Sequence, residues 1–272
     1  MRMRANKNAA IKEVAMKTAA IIGAGRISRI ILEGLKRKNE MFDEVRVYDV
    51  NREAAESIRG IVSSAIISES ASDAASGADI VILAVHPPVF AETAHALSGV
   101  LKQDSVLLSL VPKIRISKTI EAFKGFRNVV RMNPNASSIV NSGYNPISFS
   151  SEFDSNKKAE LIKRLSVLGD LPEIKDDLIE AYAVITAMGY TYFDYQFTEI
   201  FELAKEFGID ETDARTAILK LAEGTIKTVT GENRSQYEFL NLVPVRPLSG
   251  IEDSVKKEYQ EKLRERFKML TN

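Results

Sequence analysis

The sequence of 272 residues contains no cysteine. This absence excludes disulfide bonds, thiolate nucleophiles and cysteine-ligated metal sites, and it agrees with a reducing compartment such as the cytoplasm. Histidine is nearly absent as well, because His86 and His95 are the only two. A centre built from several histidine ligands is therefore not expected, and neither is a bound metal.

An excess of charge of one sign is also lacking, since 37 Lys and Arg residues balance 37 Asp and Glu residues. No net field attracts nucleic acid or an anionic membrane surface. No apolar run approaches the roughly 18 residues that a membrane span needs. We therefore expect neither a nucleic-acid partner nor a membrane partner. The hydrophobic fraction of 45% and the charged fraction of 27% are typical of a globular protein.

Residues 1–17 carry several Lys and Arg side chains but a single acid, Glu13, and they lack the apolar run of a signal peptide. We interpret them as a basic leader that is disordered or loosely helical. A nucleic-acid-binding arm is the less favoured alternative, because a few charges at a terminus rarely have that role.

Short apolar runs alternate with amphipathic stretches over the first two thirds of the chain. Runs such as AAII, IVILAV and SVLLSLV are typical of strands that are buried on both faces of a parallel sheet. The alternation predicts an α/β domain at 18–175, with a Rossmann-type, doubly wound parallel sheet that 145–150 and 171–175 extend at one edge. The predicted strands are Thr18–Ile22, Val45–Asp49, Ser64–Ile67, Ile80–Val85, Ser105–Leu110 and Asn128–Met132.

Helical patterns replace strand signals in the last third, and we predict an all-helical domain over 176–272. A first helical stretch runs from Leu178 to Phe207 without a proline, and Gly208 is placed to end it. Further helices are expected over 211–229 and from near Gly250. A few long helices often complete their core against a second copy, so a homodimer is expected, with an intramolecular bundle as the alternative.

The segment AAIIGAGRISRIILEGL (19–35) places two glycines between a buried strand and a helix. The first glycine permits a tight turn, the second leaves room for a pyrophosphate, and the helix N-terminus offers free N–H groups. Ser28, at the position of the usual third glycine, is small enough for close packing of helix and strand. A purely structural turn is the alternative. The residues predicted to hold the dinucleotide phosphates are Gly23, Ala24, Gly25, Arg26 and Ile27.

Asp49 ends the predicted second strand, within VRVYDVNR. A carboxylate at that place accepts hydrogen bonds from the adenosine ribose, which favours NAD. Arg52 can instead hold the 2′-phosphate of NADP, or it can be a solvated residue at a helix start. With Asn51 between them, these residues form the predicted adenosine-binding loop. The expected cofactor is NAD or NADP, with NAD favoured.

The segment ADIVILAVHPPVF (78–90) ends a further strand at the same edge of the sheet. Its prolines stop the strand and turn the chain across the carboxyl edge, where cofactors lie in such folds. We expect Ala84, Val85, His86 and Pro87 to contact the cofactor. His86 could bind ribose or a phosphate, or it could be a loop residue without a role.

These segments together resemble the pyrroline-5-carboxylate reductase family. IIGAGRISRIILEGL is similar to that family's IGAGNMGxAIxxGL, ADIVILAVHPP to ADVVILAVKPQ, and NVVRMNPNASSIVNSGY (128–144) to RVMPNTPALVGEG. The resemblance is good over 18–145. It implies an oxidoreductase of proline biosynthesis, with a nucleotide-binding domain and a helical dimerisation domain. It also implies hydride transfer from NAD(P)H to a cyclic imine that is held between the cofactor and the helices of two subunits.

The resemblance also assigns individual residues. Gly23, Gly25 and Ile27 fall on the phosphate turn, and His86 replaces the lysine of the family's AVKP. Asn135 falls on the asparagine of the family's PN pair, which implies a place near the nicotinamide or the substrate.

The helical part departs from the family pattern. TAMGYTY (186–192) corresponds to the family's SGSGPAY, where Thr186 can supply the hydroxyl that a serine supplies there. The family's threonine that donates to the substrate falls on Leu221, and Thr225 is a candidate replacement one helical turn later. VPVRPLSG (243–250) stands in place of a glycine-rich loop. Its Arg246 can bind a substrate carboxylate as a bidentate fork, or it can pair with a nearby acid.

The combined features predict an NAD(P)-dependent oxidoreductase that reduces a C=N or C=O bond of a small substrate. The residues predicted to serve the chemistry are Thr186, Asn135 and Thr225, with Arg246 for the substrate. A related dehydrogenase with a different small acid substrate is one alternative. A non-catalytic protein that binds the nucleotide as a structural or sensing ligand is another.

Overall fold

A computed structural model describes residues 16–231 and 242–271 of the chain. The chain divides into two compact units, one that ends at Ala187 and one that runs from Met188 to Leu270. Of the predicted leader, only Met16 and Lys17 lie within the described residues. The first unit contains the sheet, and the second unit is helical where it is described.

The first unit is built on a sheet of seven strands in the order β3-β2-β1-β4-β5-β6-β8. Strands β1 to β6 are mutually parallel, and only β8 runs antiparallel to its neighbour β6. The strand order reverses between β1 and β4, which is where doubly wound sheets bind nucleotides. The strands are β1 (Thr18–Ile22), β2 (Glu44–Tyr48), β3 (Ile66–Ile67), β4 (Ile80–Leu83), β5 (Val106–Ser109), β6 (Val129–Met132), β7 (Gly143–Tyr144), β8 (Ile147–Phe149) and β9 (Gly169–Asp170).

Helices cover both faces of this sheet and make up the second unit. Short 3-10 turns at Ile58–Gly60, Pro87–Val89, Ala136–Val140, Ser166–Leu168, Asp176–Leu178 and Ser249–Ile251 connect the elements. The α-helices are α1 (Arg26–Arg37), α2 (Arg52–Ser57), α3 (Ala71–Ala75), α4 (Phe90–Leu97), α5 (Ile116–Ala122), α6 (Ser155–Leu165), α7 (Ile179–Tyr182), α8 (Tyr190–Glu206), α9 (Glu211–Gly231) and α10 (Glu252–Thr271).

The near-continuous apolar runs form the interior, as the sequence predicts. Successive side chains of a strand point to opposite faces. Ile21 accordingly packs in the core on one face of the sheet, while Ile22 packs in the core on the other. The α/β fold class and the doubly wound sheet are therefore confirmed, and β8 extends the sheet beside β6, with Ile147 bridged to Glu173.

The predicted helical stretch from Leu178 to Phe207 is wrong in one respect, because it is interrupted. A π-helical turn at Ala183–Ala187 separates α7 from α8. Within this turn, the carbonyl of Thr186 accepts the side-chain amide of Asn135 at 2.8 Å.

The two units also divide at a later point than the predicted domain boundary after residue 175. Residues 176–187 belong to the first unit. The physical reason is a buried ion pair in which Glu180 binds Arg131 on strand β6. This pair attaches the segment to the sheet.

Candidate active site

The turn after β1 is built so that only glycine fits at its first position. Gly23 has a φ of +100°, and an added Cβ would lie 2.5 Å from the carbonyl oxygen of Ala84. The N–H of Gly23 donates to the carbonyl of Tyr48 at 2.9 Å, which attaches the turn to the end of β2. The strand ends of β1, β2 and β4 therefore meet around this glycine, as a nucleotide-binding turn requires.

The second glycine faces open space. A Cβ at Gly25 would have no protein atom within 4 Å. Gly25 is the N-cap of α1, no side chain caps this helix, and its first turn contains no acid. The N–H groups of Arg26 and Ile27 open the helix, so the residues present fit the phosphates of a dinucleotide. Ala24, between the two glycines, is buried.

Ser28 does more than fit into the space of the usual third glycine. Its side chain is buried, and its hydroxyl donates a hydrogen bond of 2.6 Å to the carbonyl of Gly23. This bond joins the first turn of α1 to the start of the loop. Ser28 therefore stabilises the turn by a contact that glycine cannot make.

Asp49 supports the same turn from the end of β2. One carboxylate oxygen accepts the N–H of Ala24 at 2.7 Å, and the other accepts the N–H of Asn51 at 2.8 Å. Each oxygen keeps further acceptor capacity for a ribose hydroxyl. The side chain of Asn51 caps α2 by accepting the N–H groups of Glu53 and Ala54. Asn51 thus shapes the loop that the sequence predicts to bind adenosine.

Arg52 opens α2 and is engaged by acids. Its Nη1 lies 3.0 Å from Oε1 and 3.2 Å from Oε2 of Glu69, and its Nε lies 3.7 Å from Glu56. The side chains of Arg52 and Glu69 are both largely exposed. Glu69 follows β3 and has no counterpart in the sequence motifs. Its carboxylate competes for the guanidinium that a 2′-phosphate would need.

The loop after β4 lies beside the phosphate turn. The N–H of Ala84 donates to the carbonyl of Ile22 at 2.8 Å, which continues the pairing of β4 with β1. His86 is exposed and starts the 3-10 turn at Pro87–Val89, while Val85 and Pro87 are half-buried. These residues occupy the edge where the sequence places them.

Asn135 and Thr186 come together at the same carboxyl edge, beyond the end of β6. Asn135 is buried, its Oδ1 accepts the N–H of Ser137, and its Nδ2 donates to the carbonyl of Thr186. The Thr186 hydroxyl donates to the carbonyl of Tyr182 at 2.8 Å. The Thr186 oxygen therefore remains available as an acceptor. Asn145 holds this loop by accepting the N–H of Asn135 at 2.8 Å.

An aromatic pair stands next to these groups in the chain. The rings of Tyr144 and Tyr182 stack with centroids 6.0 Å apart. Burial raises the pKa of Tyr144, and its contact with Tyr182 and the charge of Asp170 raise it further. The phenol of Tyr144 therefore keeps its proton at neutral pH.

A buried ion cluster was missed from the sequence. Arg131 is fully buried within β6, where its Nη1 lies 3.2 Å from Oδ1 of Asp176 and its Nη2 contacts Oε1 of Glu180. An arginine inside the apolar run VVRM was the available signal, because a charge in an interior strand needs a partner. A second signal was the spacing of Asp176 and Glu180, two acids that lie about one helical turn apart in the sequence.

The remaining predicted residues belong to the second unit. Thr225 is exposed on α9, and Leu221 is exposed on the same helix. Arg246 forms an ion pair with Glu252 at the start of α10. Their participation in substrate binding remains a prediction.

The part of the chain that the structure describes contains neither a membrane-spanning helix nor a cluster of metal ligands. Among residues 16–231 and 242–271, no helix is both long enough and apolar enough to cross a membrane. The same residues contain no group of three or more His, Asp or Glu side chains arranged to hold a metal ion.

A sequence profile for the family described as "NADP oxidoreductase coenzyme F420-dependent" matches residues 18–113. That range contains β1, the phosphate turn and the loop after β4. Together with the sheet topology, this match defines the class of the protein, which is an NAD(P)-dependent oxidoreductase with a Rossmann-type domain.

Relatives over most of the chain point to one family within that class. A pyrroline-5-carboxylate reductase from Corynebacterium melassecola is 25% identical over 81% of this chain and 83% of its own. The NADP-bound pyrroline carboxylate reductase of Plasmodium falciparum has a TM-score of 0.72 at 17% identity, covering 94% of this chain and 95% of its own. The 1-pyrroline-5-carboxylate reductase of Streptococcus pyogenes has a TM-score of 0.73 at 14% identity, covering 93% and 98%. Over most of its length the chain is thus similar to pyrroline-5-carboxylate reductases, in sequence to the Corynebacterium enzyme and in fold to the two solved structures.

Proposed function

We propose that the protein reduces the C=N bond of a small cyclic imine acid, or a related C=O bond. The observation that carries this proposal is the hydrogen bond between Asn135 and Thr186. Because β1 to β6 are parallel, the loop after β6 shares the carboxyl edge of the sheet with the phosphate turn. The first unit thus holds a dinucleotide turn and a polar pair on one edge.

The chain's own residues bind and orient the reactants. The open backbone at Gly25 and the first turn of α1 would hold the phosphates, and Asp49 would accept from the adenosine ribose. When bound, the reduced nicotinamide supplies the hydride. The protein contributes position and polarity.

Thr186 is the proposed contact to the imine nitrogen. A protonated imine carries an N–H donor, and the Thr186 oxygen can accept it because its own hydrogen is already donated to Tyr182. No strong acid is needed in the site, since the substrate arrives protonated. Asn135 is a positioning residue in this scheme, because it holds the backbone of Thr186 by its side-chain amide.

Arg246 is the proposed contact to a substrate carboxylate, with Thr225 as a second polar group from the helical unit. Arg246 is paired with Glu252 and would exchange that carboxylate for the one on the substrate. Arg246→Met should raise the KM for an acidic imine and leave the Kd for the nucleotide unchanged. Equal changes in both would contradict this assignment.

The proposed cofactor preference is for NAD over NADP. Two acidic groups support it. Asp49 faces the phosphate turn, and Glu69 neutralises Arg52, which is the arginine available for a 2′-phosphate. Both side chains of this ion pair are largely exposed, so solvent screens it and NADP would still bind, though more weakly.

A homodimer through the helical unit is the proposed assembly. Leu219, Ile226 and Val229 recur at helical spacing on α9, and each is more than half exposed. Such a stripe favours burial against a second copy. Sedimentation of Ile226→Glu should show a monomer where the unaltered chain shows a dimer. A monomeric unaltered chain would overturn this part of the proposal.

The test of the activity is turnover with both nucleotides and a panel of imines, 2-keto acids and 3-hydroxy acids. Pyrroline-5-carboxylate is the expected substrate, and Thr186→Val should lose activity that Thr186→Ser retains. Turnover with another member of the panel alone would identify a related dehydrogenase. Tight nucleotide binding without turnover on any of them would overturn the enzyme proposal.

A further inference from the structure

Two sets of polar contacts join the same two segments of the first unit. One segment runs from Arg131 to Asn135 at the end of β6, and the other runs from Asp176 to Thr186. At one end, Arg131 binds Glu180 and Asp176, a cluster that we name the Arg131 clamp. At the other end, the Asn135 amide donates to the carbonyl of Thr186. The two segments are thus held in register at both ends.

The Arg131 clamp is a cluster of charged side chains in the interior of the first unit. Arg131 and Glu180 are almost completely buried, at 2% and 5% exposure. Arg131 Nη1 lies 3.2 Å from Asp176 Oδ1 and 3.4 Å from Glu180 Oε2, and Asp176 Oδ2 accepts the N–H of Ile116 at 3.0 Å. The buried Nε of Arg131 has no hydrogen-bond partner. A buried charge with an unpaired donor is costly, so such a cluster is poor evidence for stability and better evidence for a fixed geometry.

The clamp stands immediately before the irregular part of the chain. Glu180 lies on α7, and the π-helical turn at Ala183–Ala187 follows directly. A π turn is less favourable than a regular helix and persists only where its surroundings hold it. The Thr186 carbonyl is held by Asn135, and the segment before the turn is held by Arg131.

We propose that Arg131 is a positioning residue that, by binding Glu180 and Asp176, sets the π turn and thereby places the Thr186 hydroxyl. The consequence for catalysis rests on the proposed function, whereas the consequence for the π turn does not. Glu180→Gln keeps the shape of the side chain and removes its charge. Glu180→Asp keeps the charge and shortens the reach. Glu152→Gln, which breaks the exposed ion pair with Arg127, is the matched control.

The test combines hydrogen exchange with kinetics on the full chain. In Glu180→Gln, amides of 183–189 should exchange at least about tenfold faster, while those of α6 are unchanged. The Kd for NADH should stay within about twofold, and the KM for the imine should rise by about tenfold or more. In Glu180→Asp, both the faster exchange at 183–189 and the rise in KM should be smaller than in Glu180→Gln. The control should match the unaltered chain.

Unchanged exchange at 183–189 would overturn the proposal, because Glu180 would then not hold the π turn in place. Equally faster exchange in α6 would also overturn it, because that result indicates a general loss of stability. A parallel rise of Kd and KM would do the same. If Glu180→Gln does not fold, Asp176→Asn, whose side chain is 22% exposed, takes its place with the same expectations. If the unaltered chain reduces no imine, the proposed function fails, and the exchange data still decide the role of Arg131.

Discussion

Replacement of Gly25 by alanine should separate binding from stability. Gly25 has φ −71° and ψ −172°, which alanine adopts without strain, and the added Cβ meets no protein atom within 4 Å. A glycine-to-alanine change at such a site stabilises a fold by about 0.4–1 kcal/mol, because the unfolded chain loses freedom. The new methyl group would occupy the space through which a pyrophosphate approaches the backbone.

The expected loss of affinity follows from the contacts that this methyl group prevents. A hydrogen bond to a charged group contributes about 1.5–3 kcal/mol, so the loss of one phosphate contact weakens binding roughly ten- to a hundredfold. Titration calorimetry with NADH and thermal unfolding of the same samples measure the two effects. Gly60→Ala is the control, since its Cβ also meets open space but lies away from the turn. An unchanged Kd for Gly25→Ala would refute the phosphate site. A large drop in unfolding temperature would show that the added methyl group does not fit at Gly25 without a clash.

Three further predictions concern other parts of the first unit. Glu69→Gln should shift the ratio of NADP to NAD affinity towards NADP by about threefold, because it frees Arg52 from an exposed ion pair, and Arg52→Ala should lower NADP affinity alone. Asn135→Ala should lower kcat roughly ten- to a hundredfold with an unchanged nucleotide Kd, because the part-buried Thr186 carbonyl loses the side-chain donor that holds it. Burial raises the pKa of Asp79, but Lys102 and the N–H groups of two neighbouring residues outweigh it and hold the pKa below its usual value. That carboxylate therefore stabilises the fold above its unfolded pKa and loses this effect as the pH falls through the folded pKa, so Lys102→Met should move acid unfolding to higher pH.

The sequence allowed the sheet and the glycine turn after β1 to be predicted because both depend on local pattern. Apolar runs such as AAII report burial on two faces, and the glycine pair reports the turn that follows. Gly23 shows why this worked, since its positive φ and its contact with Ala84 require glycine whatever else surrounds it.

The parts that could not be predicted depend on contacts between distant residues. In the π turn, the Thr186 carbonyl accepts the side-chain amide of Asn135, which lies 51 positions earlier, and helical periodicity does not indicate that bond. The division of the chain falls after residue 187 because Glu180 reaches back to Arg131, 49 positions earlier. Glu69 affects Arg52 only because β3 lies beside β2 in the sheet.

The most direct test of the central claim is a single-turnover experiment with the purified chain, reduced nicotinamide nucleotide and pyrroline-5-carboxylate. Nucleotide fluorescence should disappear in step with the appearance of the reduced ring, and faster with the unaltered chain than with Thr186→Val. The proposed activity would be contradicted if the nucleotide binds, Gly25→Ala abolishes that binding, and no hydride reaches this substrate or any other imine, 2-keto acid or 3-hydroxy acid of the panel.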